Sequence, residues 1–337
     1  MKILVTGGTG YIGSHTCVEL LNSGYDVVVV DNLCNSKLEV RDQIEKITGK
    51  KIKMYVDDVC DKDAMRKIFE ENDIDGVIHF AGLKAVGESV SKPLMYYRNN
   101  LDSSLTLLEV MSEFGCKKIV FSSSATVYGD PEELPIKENA KLSVTNPYGA
   151  TKLYIEGILK DLYVSDNDFR IVILRYFNPV GAHESFLIGE DPMGIPNNLM
   201  PYVTKVATGE LPILSIFGDD YDTDDGTGVR DYIHVVDLAR GHIKAIEYIN
   251  ENKGIDVFNL GTGTGYSVLE IVNTFMKINN ITVPYKITDR RPGDIAVCYA
   301  DNKYAREKLN WVPTHNLEDM VSSAYKYTVM HNKSRVK

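Results

Sequence analysis

A glycine-rich segment that directly follows a short apolar run constrains the fold of this chain more than any other feature. The run Lys2–Thr6 has β-branched members, and Gly7-Gly8-Thr9-Gly10-Tyr11-Ile12-Gly13 comes immediately after it. Apolar residues then recur at helical spacing as far as Gly24. This pattern predicts a strand, a tight turn and a helix. Asp26–Val30 is a second apolar run, which predicts a second strand.

The same segment also predicts a ligand. Glycines allow a backbone to approach a pyrophosphate, and the N-terminus of the following helix faces the negative charge. We therefore assign Gly7, Gly10 and Gly13 to a dinucleotide site, with a purely structural turn as the alternative. Asp31 follows the second strand, where a carboxylate accepts hydrogen bonds from an adenosine ribose. Because the nearest basic residue after it is Lys37, NAD is favoured over NADP as the cofactor.

Further apolar runs alternate with helical patterns through the first half of the chain. They predict strands at residues 52–56, 76–80, 117–121 and 170–174. The fold class is therefore α/β, with a doubly wound parallel (Rossmann) sheet whose strand tips meet at one crevice. After residue 176 the rhythm changes to a smaller, loop-rich α/β substrate domain. We expect domains at 1–176 and 177–337, with the segment near 232–262 able to return to the sheet.

Composition narrows the class of protein. The 337 residues carry a net charge of −10, which argues against nucleic acid or an anionic membrane as a partner. Five widely spaced cysteines without a CxxC pair are typical of reduced thiols in the cytoplasm. Neither a signal peptide nor a membrane span is indicated. The acidic run at residues 219–225 lacks the glycine that a calcium loop needs at its sixth position, so we expect no metal.

A tyrosine and a lysine four residues apart, Tyr148 and Lys152, follow Pro147 at the start of a predicted helix. Positions i and i+4 share one helix face, and Thr145 or Asn146 can cap the helix. A free phenol with a pKa of about 10 is roughly 0.1% ionised at neutral pH, so a nearby cation that lowers this pKa supplies up to ~10³-fold more base. The alternative is a half-buried tyrosine beside a solvated lysine.

Nine segments, in order along almost the whole chain, resemble the extended short-chain dehydrogenase/reductase family and, more narrowly, the UDP-glucose 4-epimerase family. The segments are VTGGTGYIGSHT, VDNLCNS, HFAGLKAVGESV, FSSSATVYGD, YGATK, LRYFNPVGAH, GIPNNLMPY, GTGVRDYIHV and RRPGD. The resemblance implies NAD-dependent 4-epimerisation of UDP-glucose and UDP-galactose. In that reaction Tyr148 takes the proton of the sugar 4-hydroxyl, and a 4-keto sugar turns over and is reduced from its other face.

The resemblance also implies three groups of site residues. The catalytic residues are Ser124, Tyr148 and Lys152. The NAD-binding residues besides the glycines are Tyr11, Ile12, Asp31, Asn32, Asn35, Ser36, Asp58, Val59, Phe80, Ala81, Lys84, Asn99 and Phe177. The residues that line the UDP-sugar site are Asn178, Asn198, Leu199, Phe217, Arg230, Arg291 and Asp294.

Residue chemistry leaves an alternative beside several of these roles. The planar guanidiniums of Arg230 and Arg291 suit a diphosphate, yet either could be a surface arginine. Phe217 suits stacking on uracil or filling a core. Ser124 could bond the sugar 4-hydroxyl or cap its strand tip. Asp58 could bracket an adenine or lie in a solvated turn. We interpret His79, within an apolar run, as a core histidine.

Three further expectations concern specificity and assembly. Related 4,6-dehydratases carry an Asp-Glu pair where this chain has Ala125-Thr126, which argues against dehydration. A net dehydrogenase or a non-catalytic NAD sensor stays open as an alternative. Cys298 stands where members restricted to UDP-glucose and UDP-galactose often have tyrosine. We therefore hypothesise that the substrate site also admits UDP-GlcNAc and UDP-GalNAc, with a buried thiol of no consequence as the alternative. A homodimer is implied by the resemblance.

Overall fold

The computed structural model describes residues 1–291 and 293–335, apart from the side chains of residues 333–335. The strands are β1 (Lys2–Thr6), β2 (Asp26–Val30), β3 (Lys53–Tyr55), β4 (Gly76–His79), β5 (Lys118–Ser124), β6 (Arg170–Tyr176), β7 (Asn178–Val180), β8 (Leu214–Phe217), β9 (Val229–His234), β10 (Gly254–Leu260), β11 (Gly265–Ser267), β12 (Tyr285–Thr288) and β13 (Val297–Cys298).

The helices are α1 (Tyr11–Asn22), α2 (Glu39–Thr48), α3 (Lys62–Glu70), α4 (Val86–Ser91), α5 (Pro93–Glu113), α6 (Pro147–Ser165), α7 (Leu199–Ala207), α8 (Val235–Glu251), α9 (Val268–Asn279), α10 (Lys303–Leu309) and α11 (Leu317–Arg335). A short 3₁₀ turn, Ala125–Tyr128, follows β5. Within the described residues, no helix is both long enough and apolar enough to cross a membrane.

The main sheet has seven parallel strands in the order β10-β6-β5-β4-β1-β2-β3. The strand order reverses between β1 and β4, which is where open α/β sheets bind their ligands. The predicted doubly wound α/β class is therefore confirmed. β5 runs on to Ser124, three residues beyond its predicted end, so the serine cluster is part of the strand.

Alternating side chains explain why helices cover both faces of this sheet. Ile3 and Val5 of β1 belong to one apolar cluster with α1 and α8, whereas Leu4 belongs to another with α3, α5 and α6. Successive side chains of a strand point to opposite faces, so a strand that is apolar throughout needs cover on both sides.

The remaining strands form two small sheets. β9 pairs with β7, β11 and β13, and β8 pairs with β12. A third apolar cluster joins α7, α9 and α11 to these strands. Although β10 and α8 come late in the chain, β10 lies beside β6 and α8 packs on α1. The domain boundary at 176/177 stays a prediction.

Candidate active site

The glycine turn lies at the reversal of strand order, against the tip of β4. Gly7 has a φ of +69°, and a Cβ on Gly13 would lie 2.2 Å from the Gly7 carbonyl oxygen. Only glycine fits these two positions. Gly10 precedes α1, and no side chain caps this helix. Its first N–H groups therefore face the crevice with a partial positive charge, which fits the pyrophosphate of a dinucleotide.

Asp31 organises the loop beside this turn. Its Oδ2 accepts a hydrogen bond from Thr9 N at 3.1 Å, and its Oδ1 accepts from Leu33 N at 2.9 Å and from Ser36 Oγ at 2.8 Å. The carboxylate thus connects the glycine turn to the loop after β2. Although the side chain is nearly buried, a carboxylate has lone pairs left for a ribose.

The other predicted NAD-binding residues lie around the strand tips. Asn32 Nδ2 donates to Asp58 Oδ2 at 2.9 Å, which joins the tips of β2 and β3. The Ala81 N–H donates to Thr6 Oγ1 at 3.2 Å, which holds the tip of β4 against β1. The remaining residues divide by accessibility into the exposed or half-buried Tyr11, Ile12, Asn35, Phe80, Lys84 and Asn99 and the buried Val59 and Phe177. Their roles toward NAD stay a prediction.

Helix α6 presents the predicted catalytic pair. Asn146 caps the helix through a 2.8 Å bond from Gly149 N, and Pro147 occupies the first turn. Tyr148 is half-buried, whereas Lys152 is buried and not solvated. Lys152 Nζ donates to the Ser122 carbonyl oxygen at 2.6 Å and lies 5.9 Å from the centre of the Tyr148 ring.

The electrostatics differ from the prediction. Burial lowers the pKa of Lys152 to about 8, although Glu156 acts in the opposite direction. Burial raises the pKa of Tyr148, and hydrogen bonding with Ser124 opposes this rise. The expectation that Lys152 lowers the pKa of Tyr148 is therefore wrong for the protein alone. The reason is geometric, because the ammonium group binds a backbone carbonyl while desolvation dominates at the phenol.

Ser124 fills one of its two predicted roles, the cap at the strand tip, and its role toward the sugar 4-hydroxyl stays a prediction. Its Oγ accepts hydrogen bonds from Thr126 N at 3.2 Å and from Thr126 Oγ1 at 3.0 Å, so it caps the 3₁₀ turn. These bonds use only its lone pairs, which allows its own proton to be donated toward Tyr148. His79 is a core histidine, bonded at 2.8 Å to Thr6 Oγ1 and at 3.0 Å to Ser104 Oγ.

The predicted UDP-sugar residues fall into two groups. Arg291 lies over the Phe217 ring, with its guanidinium carbon 4.7 Å from the ring centre, and its Nε donates to Asp294 Oδ2 at 3.0 Å. Arg230 and Cys298 are paired across β9 and β13. Burial raises the pKa of Tyr232 to about 12, and Arg230 and Arg291 both oppose this rise. Both guanidiniums therefore lie within electrostatic range of the Tyr232 phenol, and their role toward a diphosphate stays a prediction.

Asn178, Asn198 and Leu199 lie at the starts of β7 and α7, where Asn198 Nδ2 donates to Glu190 Oε1 at 2.7 Å. Pro292 of the RRPGD segment lies outside the described residues. In the acidic run predicted not to bind metal, Asp220 Oδ1 accepts a 2.6 Å bond from Arg290 Nε. Asn198 and Asp220 are thus each hydrogen-bonded to another side chain of the protein.

Cys298 packs in a small apolar cluster with Ala125, Val127, Phe177 and Ala300. Burial raises the pKa of its thiol to about 11, so the side chain behaves as a small apolar group. Ala125 directly follows Ser124, so Cys298 shares its apolar cluster with the first residue after the predicted catalytic serine.

Sequence reasoning missed three residues of this region, namely Tyr232, Glu156 and Arg175. Tyr232 lies beside both arginines. Glu156 and Arg175 form a fully buried ion pair behind Lys152, with a 2.7 Å contact. Glu156 follows Lys152 by four residues, and Arg175 interrupts an apolar strand. That spacing and that interruption are the signals from which the pair could have been found.

Comparison with known proteins extends this description. A family model described as GDP-mannose 4,6 dehydratase matches residues 4–324. The chain is 60% identical to the UDP-glucose 4-epimerase of Bacillus subtilis over 327 residues, which are 97% of this chain and 96% of that one. The structure is similar to that of UDP-glucose 4-epimerase from Bifidobacterium longum in complex with NAD+ and UDP, with a TM-score of 0.96, 56% identity, and 98% and 99% of the two chains covered. It is also similar to the UDP-Glc/GlcNAc 4-epimerase of Campylobacter jejuni, with a TM-score of 0.85, 35% identity, and 98% and 99% coverage.

The parallel sheet, the glycine turn and the Ser124–Tyr148–Lys152 group define a dinucleotide-binding protein of the extended short-chain dehydrogenase/reductase class. The family model and the matched structures each cover nearly all of the chain. Within that class, the chain belongs to the UDP-glucose 4-epimerase family.

Proposed function

We propose that this chain catalyses the reversible, NAD-dependent 4-epimerisation of UDP-glucose and UDP-galactose. The observation that carries the proposal is the placement of Tyr148 and Lys152 on α6, beside the serine cluster at the tip of β5. The Bacillus subtilis relative, which is 60% identical, carries the same activity in its name.

The residues of the chain suit a mechanism of proton transfer at the sugar 4-hydroxyl. Tyr148 accepts the proton of this hydroxyl as the general base. Ser124, whose lone pairs accept from Thr126, has one proton to donate, either to the Tyr148 oxygen or to the sugar hydroxyl oxygen, and so shares the proton path with Tyr148. Lys152, fixed on the Ser122 carbonyl, supplies positive charge near the phenol as it ionises. NAD held beside the glycine turn and Asp31 would supply the hydride acceptor for sugar C4 and the hydride donor for its reduction from the opposite face.

The binding groups suit a reaction in which the sugar must turn over between two half-reactions. The uncapped start of α1 and the Asp31 carboxylate suit NAD. Arg230 and Arg291 suit the diphosphate of the substrate. When the binding energy comes from contacts with the nucleotide rather than with the hexose, the 4-keto sugar is free to rotate about its diphosphate linkage.

One observation disfavours dehydration, and the other related functions differ from epimerisation in their products. Ala125 and Thr126 occupy the positions where 4,6-dehydratases need a carboxylate pair, although the family model is described by that activity. A net dehydrogenase would accumulate NADH, and a sensor would turn over nothing.

Incubation of the purified protein with UDP-galactose and no added NAD separates these functions. We expect UDP-glucose to form, with no net NADH. Tyr148→Phe should lower kcat by about 10²–10⁴-fold, because it removes the general base. Tyr163→Phe on the same helix is the matched control. Accumulation of NADH in the wild-type protein, or turnover by Tyr148→Phe at the wild-type rate, would contradict the proposal.

We propose further that UDP-GlcNAc and UDP-GalNAc are substrates. Support comes from the small, apolar Cys298 next to Ala125, and from the name of the Campylobacter jejuni protein, which includes GlcNAc. A 2-acetamido group adds several heavy atoms, which a tyrosine at this position would exclude.

We also propose a cytoplasmic homodimer. The location is supported by the five cysteines, all within the described residues and all free thiols. The dimer is supported by apolar side chains exposed on α5 and α6, among them Leu94 at 82%, Leu105 at 41% and Tyr154 at 53% exposure. Light scattering should give the mass of two chains, and Tyr154→Glu should lower it to that of one. A wild-type protein with the mass of one chain would contradict the dimer.

A further inference from the structure

Three residues at successive four-residue intervals on α6 face the tip of β5. They are Tyr148, Lys152 and Glu156, and the strand residues opposite them are Ser124, Ser122 and Ser123. Lys152 Nζ donates to the Ser122 carbonyl at 2.6 Å, and Ser123 Oγ donates to Glu156 Oε1 at 2.6 Å. Glu156 is fully buried, and nothing in the proposed chemistry uses it.

Arg175 holds Glu156 from the neighbouring strand. Its Nε donates to Glu156 Oε1 at 2.9 Å and its NH2 group to Oε2 at 2.7 Å, which is the paired geometry of a guanidinium on a carboxylate. Arg175 is only 2% exposed and is paired in register with Ser123 across β5 and β6. Its NH1 group donates to Tyr128 Oη at 2.8 Å, at the end of the 3₁₀ turn that Ser124 caps.

A buried ion pair needs an explanation other than stability. Removing two charges from water is costly, and apolar residues of similar size often replace such pairs without loss of stability. Apart from a 2.9 Å bond from the Arg175 NH1 group to the Glu138 carbonyl oxygen, the contacts of this pair lead to Ser123 of the serine segment and to Tyr128 in the turn after it. The pair therefore fixes the position of α6 along the direction of β5.

We propose that the Glu156–Arg175 pair is a positioning device for proton transfer, which sets Lys152 and Ser124 relative to Tyr148 through Ser123. This inference rests on the proposed epimerase function. It has a geometric part, carried by the Ser123 bond, and an electrostatic part, carried by the Glu156 carboxylate one helical turn from Lys152.

The electrostatic part follows from the surroundings of Lys152. Burial lowers the pKa of Lys152 to about 8, and Glu156 opposes this fall. Burial lowers the pKa of His79 to about 3 and raises the pKa of Tyr96 and Tyr176, so these neighbours are uncharged near neutral pH. The titratable and charged groups on the packed elements include Tyr148 on α6, His79 on β4, Glu88 on α4, Tyr96 on α5, Tyr128 in the 3₁₀ turn, Arg175 and Tyr176 on β6, and Asp256 on β10, which accepts bonds from Tyr248 and Tyr304. Glu88 bonds Lys92 and Tyr96 at the surface, which leaves Glu156 as the buried anion near Lys152.

Two variants separate the two parts. Glu156→Gln keeps the shape of the side chain and removes its charge. We expect kcat for UDP-galactose to fall about 10-fold or more with KM within about two-fold, and the alkaline limb of kcat to move to lower pH. Ser123→Ala removes only the bond to the strand. It should lower kcat about three- to ten-fold and leave the alkaline limb in place, since the carboxylate remains.

The control is Glu113→Gln, which breaks a 2.7 Å pair with Arg66 on the surface and should leave both kcat and the pH profile unchanged. The double variant Glu156→Gln/Arg175→Met leaves no unpaired buried charge. The double variant replaces Glu156→Gln if that single variant is too unstable to measure. We expect it to show the same shift of the alkaline limb of kcat to lower pH. The inference would be overturned by two results together. The first is an alkaline limb of kcat that does not move in Glu156→Gln or, if that variant does not fold, in the double variant. The second is a wild-type kcat in Ser123→Ala.

A measurement without turnover keeps this inference separate from the function on which it rests. The lysine ¹³Cε resonance of Lys152, assigned from Lys152→Arg, should titrate at a lower pH in Glu156→Gln than in the wild-type protein. An unchanged midpoint would overturn the electrostatic part. Failure of the wild-type protein to convert UDP-galactose would instead overturn the proposed function.

Discussion

Lys37 and Asp191 form a 2.6 Å ion pair that joins the loop after β2 to the loop before α7. A second contact runs parallel to it, since Lys84 Nζ lies 3.8 Å from Glu190 Oε1. Lys37 directly follows the predicted NAD-binding residues Asn35 and Ser36. Two pairs of opposite charges therefore connect the predicted NAD-binding domain to the predicted substrate domain. They lie on the side of the crevice that is predicted to hold the adenosine.

Loss of the first pair should speed the release of NAD. Lys37 and Asp191 are partly exposed, so the expected effect of Lys37→Gln is only about a two- to five-fold faster exchange of bound for labelled NAD. Added salt should speed exchange in the wild-type protein and do so less in the variant. Lys46→Gln, in the exposed last turn of α2, is the control. Equal exchange rates in wild type and Lys37→Gln at low salt would contradict this prediction.

Asp31 should matter for stability as well as for NAD. In Asp31→Ala, the Thr9 N–H, the Leu33 N–H and the Ser36 hydroxyl each lose an acceptor. We expect a loss of about 1–3 kcal/mol in the free energy of unfolding, measured by urea denaturation, together with loss of bound NAD. Asp26→Asn, at the exposed start of β2, the strand that Asp31 follows, should change neither. A stable Asp31→Ala protein that still holds NAD would refute the prediction.

Cys298 should decide whether acetamido sugars are turned over. Cys298→Tyr should lower kcat/KM for UDP-GlcNAc by about ten-fold or more, because the larger ring occupies space beside Ala125. Turnover of UDP-galactose should stay within about three-fold, which also shows that the variant folds. Cys298→Ala is the control and should keep both activities. The hypothesis fails if the wild-type protein does not convert UDP-GlcNAc, or if Cys298→Tyr converts it equally well.

The pair of His315 and Asp237 should make stability depend on pH. Hydrogen bonding to Asp237 raises the pKa of His315. Burial opposes ionisation of Asp237, yet hydrogen bonds from His315 and Thr314 lower its pKa to about 2. A raised histidine pKa stabilises the folded state fully below the unfolded value, and this contribution is lost as pH rises through the folded value.

His315→Gln should therefore lose more stability near pH 5.5 than near pH 8.5, measured as the difference in the free energy of unfolding from wild type at about these two pH values. The carboxylate contributes in the opposite range, since its stabilisation is lost as pH falls from the unfolded value toward about 2. In an Asp237→Asn background the pH dependence of the His315 effect should disappear. A His315→Gln difference that is equal at both pH values would rule out this coupling.

The parts of the fold that local sequence decides were predicted well. The glycine turn has a left-handed backbone at Gly7, which favours glycine, and its flanking strand and helix have distinct periodicities. The helix after Pro147 has a proline and an asparagine cap within a few residues. These features depend on neighbours in the chain, so the pattern alone indicates them.

Features that depend on distant partners were not predicted. Lys37 and Asp191 are 154 residues apart, and no pattern links them. The pKa of Tyr148 was predicted in the wrong direction because spacing places Lys152 on the same helix face but does not show that its ammonium group binds the Ser122 carbonyl. Burial, which decides both pKa values, is a property of the packed molecule.

The position of β10 at the edge of the main sheet has a consequence for how the protein is made. β6 has no partner on that side until residues 254–260 have been synthesised, although every other strand of the sheet is complete by Tyr176. At ribosomal rates of about 5–20 residues per second, the intervening stretch of roughly 80 residues takes several seconds to emerge. If the first six strands pair as they emerge, the edge of β6 is exposed during that interval. An exposed strand edge can pair with other chains, so this is the stage at which binding of a chaperone would protect the nascent chain most.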